Sequence, residues 1–463
     1  MSVALDQRLE GIGTRFRLFP QSPTLVGYAR PEIVWVSSPP GSLRAGPQDE
    51  RMRVIDAIDK SPYDDLFGPP WSGLLHPPAE PDPAGHFDHH PLHSRPFAAA
   101  HLFGSIRRVL DIWEDYVGSS INPLSMLEPP GQQLELIPLV NLERNAQTGT
   151  GFIETGYVLG SDQQRWSLCL NMDVVAHEVG HRIVFDRVGI PLDATMTAEF
   201  RGFAESTCDL VALITALHFN TVIDNVLQTS SGNLYVLNEL NRFAELSDHD
   251  QIRIASNSKR MSDVVDVATS WDQLSQPEVH ELGEPLTGAL FDIFVEIFHE
   301  TLVDSGAIPR DLADDAWRAP NGPMNYEQIQ GRFDRAYGER QQAFRDALLA
   351  ARDELGRRLA LTWARVSEHF LTYRDVAAAF LAADQRLSGE RHQQAIADSF
   401  AWRGIGGQRP LGLTPTGGPP GRSWLTSRRL FCDRSQSNWR RERHQRCPCL
   451  ATAGSHRADD RAS

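Results

Sequence analysis

The sequence predicts an α+β protein, a mixed N-terminal part followed by a mainly helical lobe, and three observations carry that expectation. Short strand-like runs dominate before residue 160, helical stripes dominate from 171 to 402, and glycines at 149, 151 and 160 mark the change of period. The chain has 463 residues, room for two to four domains or for one large two-lobed enzyme with extensions. Apolar residues make up 41% and charged residues 23%, which excludes wholesale disorder and a fibrous chain.

Charge and cysteine usage narrow the function classes. The formal net charge of -15 opposes nonspecific binding to phosphate backbones and to anionic lipid, so neither nucleic acid nor membrane is expected as a partner. No stretch reaches the roughly 18 apolar residues of a membrane span, and MSVALDQRLEGIGTRFRLFP lacks a basic segment followed by an apolar one. Cys169 and Cys208 stand alone in the main body, too few for a disulfide framework; a reducing, cytoplasmic setting is expected.

Residues 1–96 are proline-rich, with Pro39-Pro40, Pro69-Pro70 and Pro77-Pro78 separating short apolar runs such as Ile33-Val34-Trp35-Val36, and read as an extension of loops with few strands. From Phe97 to Tyr116, Leu102, Ile106, Val109, Leu110 and Trp113 form one apolar stripe of a helix that Gly118 ends. Leu134 to Val140 and Phe152 to Val158 read as strands. Helices are then expected at about 171–187, 197–219, 285–303, 325–366, 371–386 and 390–402, with the longest loop at about 247–284. Beyond Ile405, 406–463 carries 11 arginines against four acids, no helical stripe and three cysteines. That is the composition of a disordered basic tail or of translation in a shifted reading frame.

The chemistry concentrates in 171–187, where His177-Glu178-Val179-Gly180-His181 places two imidazoles at i and i+4. On a helix these share one face, so both can reach one zinc ion at about 2.0–2.1 Å, with Glu178 beside them. Val174, Val175, Ile183, Val184 and Phe185 flank the motif and bury its helix, where unligated histidines are costly. Glu205 and Asp209, four apart on the next helix, fit as the third ligand and as the carboxylate that orients a ligand histidine.

Those two segments resemble the thermolysin-like gluzincin metallopeptidases, whose pattern is HExxH on one helix and ExxxD on the next, and the resemblance extends faintly over roughly 97–405. It implies a zincin-like two-lobed fold with a short substrate-side sheet, one catalytic zinc and a peptide or protein substrate. Asn145-Ala146 resembles the family's Asn-Ala at the substrate-binding edge strand. Lys259-Arg260-Met261-Ser262-Asp263 resembles an Arg-x-Met-Ser-Asp element whose arginine holds a substrate carbonyl, and either Lys259 or Arg260 fills that place. Val279-His280 resembles the element whose histidine donates to the oxyanion of the tetrahedral intermediate.

Three features depart from the family. No tyrosine lies between His181 and Glu205; the acidic cluster for structural calcium has no counterpart near Ala216, His218 and Asn220; and 1–96 is too short for the large inhibitory propeptide of secreted members. Two further features lie outside the resemblance. His86, His89, His90 and His93, with His101 beyond, form a tract read as a solvated loop touching the core, with a second metal site as the alternative. Cys208, at i+3 from Glu205, reads as a small buried hydrophobe. The expected function is that of a zinc endopeptidase with Glu178 as general base. The rival is a gluzincin-fold scaffold that keeps zinc without turnover.

Overall fold

The computed structural model describes residues 5–64, 67–124, 132–160, 163–236, 238, 240, 242–247, 250–264, 276–318 and 326–406; apart from Gly406, the expected tail lies outside the described residues. The architecture is α+β. Short strands β1 (Thr14–Leu18), β2 (Glu32–Val36) and β3 (Met52–Val54) follow a single helical turn, α1 (Leu5–Leu9), and precede α2 (Arg95–Val117). Then come β4 (Leu134–Ile137), β5 (Ala146–Gly149), β6 (Phe152–Thr155), β7 (Tyr157–Leu159) and β8 (Arg165–Ser167).

The central sheet has the order β3-β4-β6-β5, with β3 and β6 parallel to β4 and β5 antiparallel to β6. β5 is therefore an edge strand. The expected strand from Phe152 to Val158 is two strands broken at Gly156, whose amide donates to the Asn145 carbonyl at 2.9 Å. A side chain at Gly156 would collide with the Leu142 carbonyl, so the chain can turn there only without a Cβ. β4 stops at Ile137 because Pro138 cannot donate to a ladder.

Helices α3 (Met172–Arg187), α4 (Ala198–Ala216), α5 (Asn220–Ser230), α6 (Gln276–Asp304), α7 (Arg310–Arg318), α8 (Tyr326–Trp363), α9 (Tyr373–Ser388) and α10 (Gln393–Trp402) follow. Their starts are chemically marked: the Asn171 side chain accepts from Asp173 and Val174, that of Thr197 accepts from Phe200, and Thr372 and Asp375 form a capping box. The expected loop at 247–284 contains more structure than its pattern suggests. Strands β9 (Arg242–Ser247) and β10 (Asp250–Ile254) pair antiparallel, and α6 begins at Gln276. Pro285 lies inside α6, although proline favours the first turn of a helix, so a start at 285 is nine residues late.

The proline-rich 1–96 segment, expected to extend from the folded part, shares its core. Phe16, Leu18, Phe19, Val34 and Val36 are buried in the same cluster as Leu102, Ile106, Val109, Leu110 and Trp113 of α2, and β3 is a strand of the central sheet. Lys60 pins the segment from outside the sheet, its Nζ 2.7 Å from Glu154 Oε2 and 3.3 Å from the Tyr63 ring centroid. No single helix among the described residues is long and apolar enough to cross a membrane.

Candidate metal centre

Three helices meet where glycines let them approach. On α3, a Cβ at Gly180 would stand 2.7 Å from Cys208 Cα of α4; on α4, a Cβ at Gly202 would stand 2.7 Å from the Leu282 carbonyl carbon of α6. Gly283 of α6 completes that second crossing, since a Cβ there would lie 3.0 Å from the Gly202 carbonyl oxygen. Side chains one turn away from these crossings are thereby brought into contact distance. They are His177 and His181 on α3, Glu205 and Asp209 on α4, and His280 on α6. His280 thus stands in a helix, where the sequence pattern suggests a loop.

The Glu205 carboxylate is the hub. Its Oε2 lies 3.3 Å from His177 Nε2 and 2.9 Å from His280 Nε2, and its Oε1 lies 3.9 Å from His181 Nε2. His177 turns its other ring nitrogen, Nδ1, to Asp209 Oδ1 at 3.1 Å. Both motif histidines, Glu178, Glu205 and Asp209 are buried, while the His280 side chain is 29% exposed, so the cluster opens toward solvent on the α6 side. Burial alone would raise the Glu205 pKa. The charge of His280, hydrogen bonds from His177 and His280, and the charge of His181 outweigh it and hold the carboxyl well below its ordinary range.

The donor chemistry fits zinc. Nitrogen and oxygen ligands at about 2.0–2.1 Å on a tetrahedral ion lie about 3.3–3.4 Å from one another. The His177–Glu205 separation of 3.3 Å, to Oε2, matches that edge, whereas His181 stands 3.9 Å from the other oxygen, Oε1, so one carboxylate oxygen serves both histidines only after the carboxylate or the His181 side chain turns. Among the described residues, two donor groups fall within 4.8 Å: His177, His181 and Cys208, and His177, Glu205 and His280. The set read from the sequence, His177, His181 and Glu205, draws from both.

The remaining candidate residues stand as follows. Asn145 immediately precedes β5 and Ala146 opens it, with Asn145 Oδ1 accepting from the Ala146 amide at 3.0 Å. The Lys259 ammonium lies 3.7 Å from Glu284 Oε2, one turn of α6 beyond His280, and the Arg260 guanidinium stacks 4.5 Å from the Trp402 ring centroid. Neither has a direct contact with the hub among those observed. The histidine tract is dispersed: His86 Nδ1 accepts from the Arg15 amide, His89 stacks on His90, His93 meets Trp166 edge-on, and His101 is buried. His101 Nε2 accepts from the Phe19 amide at 2.8 Å, and burial pushes its pKa down to about 3, so it is a neutral core acceptor.

Sequence patterns give no sign of Arg182, which joins the motif helix to the sheet. Its buried guanidinium donates to Thr148 Oγ1 at 3.1 Å, to the Phe152 carbonyl at 3.0 Å and to the Gly149 carbonyl. The edge strand β5 is in this way tied to the helix that carries His177 and His181.

No family model matches the chain, and no curated protein matches it either. Among solved structures, it is similar to the precursor of protealysin, a metalloproteinase from Serratia proteamaculans. The TM-score is 0.43 and the identity 12%, covering 80% of this chain and 91% of that one.

Proposed function

We propose that the chain is a zinc-dependent endopeptidase, with His177, His181 and Glu205 holding the ion. The observation that carries this reading is the buried convergence of two imidazoles and one carboxylate at the His177–Glu205 distance a zinc tetrahedron needs, with Asp209 behind His177. A zinc ion held there lowers the pKa of a water toward about 7 and polarises the scissile carbonyl.

Each protein group then has a separate task. Asp209 accepts from His177 Nδ1, which fixes the tautomer and leaves Nε2 free to ligate. Glu178 accepts a proton from the attacking water and returns it to the departing amine, which separates its role from the ligands on either side of it in the motif. His280, the most exposed member of the cluster, donates from Nε2 to the oxyanion as charge develops, exchanging its Glu205 partner for the substrate. An extended peptide adds to the edge strand β5 through main-chain hydrogen bonds near Asn145 and Ala146. Arg182 keeps that strand in register with the motif helix.

The test is metal content with turnover of casein or a quenched peptide. Expected are one zinc per chain, hydrolysis, loss of hydrolysis with a chelator and recovery on adding zinc. Stoichiometric zinc without hydrolysis supports the scaffold reading instead.

A further inference from the structure

The end of α10 reaches back to the segment that carries Lys259 and Arg260. Arg403, the residue that caps α10, is 1% exposed. Its Nη1 donates to Asn257 Oδ1 at 2.7 Å and to the Lys259 carbonyl at 2.9 Å; its Nη2 donates to the Asn257 carbonyl at 2.7 Å and to Asp292 Oδ2 at 2.7 Å. The Arg403 carbonyl in turn accepts from the Met261 amide at 2.8 Å, and the neighbouring Trp402 holds the Arg260 guanidinium.

From the other side, Asn257 Nδ2 donates to the Glu284 carbonyl of α6 at 3.0 Å. Gly288 leaves the room the guanidinium occupies, since a Cβ there would come within 2.7 Å of Nη2. One buried cation thus binds two main-chain carbonyls and a side-chain amide of 257–259 while its charge is matched by Asp292 on α6.

We propose that Arg403 is a positioning residue, which from the end of α10 fixes 257–261 against α6 and so sets where Lys259 and Arg260 stand relative to His280 for peptide binding. The substrate part of this inference rests on the endopeptidase reading; the clamp itself does not. A planar fork of five donors can serve four acceptors in fixed directions, and a lysine ammonium cannot. None of these hydrogen bonds goes to α3 or α4, so the clamp is expected to act on binding and to leave the ligands of the ion alone.

The experiment compares the full chain with Arg403→Lys, and with Asn257→Ala, which cuts the clamp from the loop side should the first variant fail to fold. Amide exchange in 255–264 is expected to accelerate at least about tenfold while α3 and α4 keep their protection. KM for a quenched peptide is expected to rise about tenfold with kcat within about threefold of the parent and zinc content unchanged. Unaltered exchange in 255–264 overturns the clamp. Faster exchange with parental KM, or an equal fall in kcat, overturns the positioning role. A parent that hydrolyses no peptide overturns the endopeptidase reading and the substrate role with it, while the exchange data still decide the clamp.

Discussion

Gly180→Ala sets two effects of opposite sign against each other. Alanine is favoured over glycine inside a helix by about 1 kcal/mol. At this position, however, the new methyl would stand 2.7 Å from Cys208 Cα and 3.0 Å from its Sγ, where ordinary contact begins at 3.4 Å. Because the closest atom is backbone, the helices must separate by about 0.7 Å, which costs about 1–3 kcal/mol as overpacking. Moving α3 away from α4 by that amount stretches the His177–Glu205 separation from 3.3 Å toward about 4 Å and the His181–Glu205 separation from 3.9 Å toward about 4.6 Å, so both histidines, and no longer His181 alone, must be brought back to the edge of a zinc tetrahedron by side-chain adjustment. The expected result is a zinc affinity lower by about 10- to 100-fold, or about 1.4–2.7 kcal/mol, together with an unchanged or lowered Tm. Competition against a chromophoric chelator measures the first quantity, and thermal unfolding with and without zinc the second. A variant that binds zinc within twofold of the parent and melts higher would show that the crossing at Gly180 is loose and sets no donor distance.

Three further outcomes are expected. Glu205→Ala should weaken zinc binding more than Asp209→Ala, for which about 10- to 100-fold is expected; equal, negligible losses in chelator competition would make Glu205 an ordinary acid. Arg182→Ala, which removes the buried guanidinium's hydrogen bonds to Thr148 Oγ1 and to the Gly149 and Phe152 carbonyls, should destabilise the chain by about 2–4 kcal/mol and raise KM for peptides; denaturant unfolding at parental midpoint would remove the tie between β5 and α3. Glu296 is half-buried beside Tyr235, Glu300, Asp292 and Asp314; desolvation first, and the three acidic neighbours, push its pKa up from 4.5 to about 7 against the hydrogen bond from Tyr235, which lowers it. An acid raised in the folded state stabilises below its unfolded pKa and loses that contribution as pH rises through the folded value. The Tm of Glu296→Gln relative to the parent should therefore climb between pH 4.5 and 7 and level off above it, and a flat difference would show that Glu296 titrates normally.

The parts of this molecule written locally in the sequence were readable there. The α2 stripe and the His177–His181 and Glu205–Asp209 spacings are each set within a few residues, and α2, α3, α4, α8, α9 and α10 lie close to where the pattern puts them, whereas α5 and α7 were not expected and α6 starts nine residues before 285. What could not be read depends on partners far along the chain. Gly180 and Gly202 look like weak points of two helices until Cys208 and Leu282 are seen against them. Arg182 and Arg403 look like ordinary surface cations until the Gly149 and Asn257 carbonyls are seen to accept from them. The 1–96 segment misleads for a related reason: proline removes the period by which core strands are recognised, yet Phe16, Phe19 and Val36 are as buried as any residue of α2. His280 was identifiable by its place after Val279, but its helix was hidden by Pro285.

The endopeptidase reading is tested most directly by Glu178→Gln, with zinc content and peptide turnover measured on the same preparation. Glutamine keeps the volume and every ligand and removes only the proton acceptor. The expected result is parental zinc with turnover reduced by about 10²- to 10⁴-fold, the contribution of a positioned general base. Turnover within tenfold of the parent at full zinc occupancy would contradict the assignment of Glu178, and loss of zinc from the variant would place Glu178 among the ligands and require a different base.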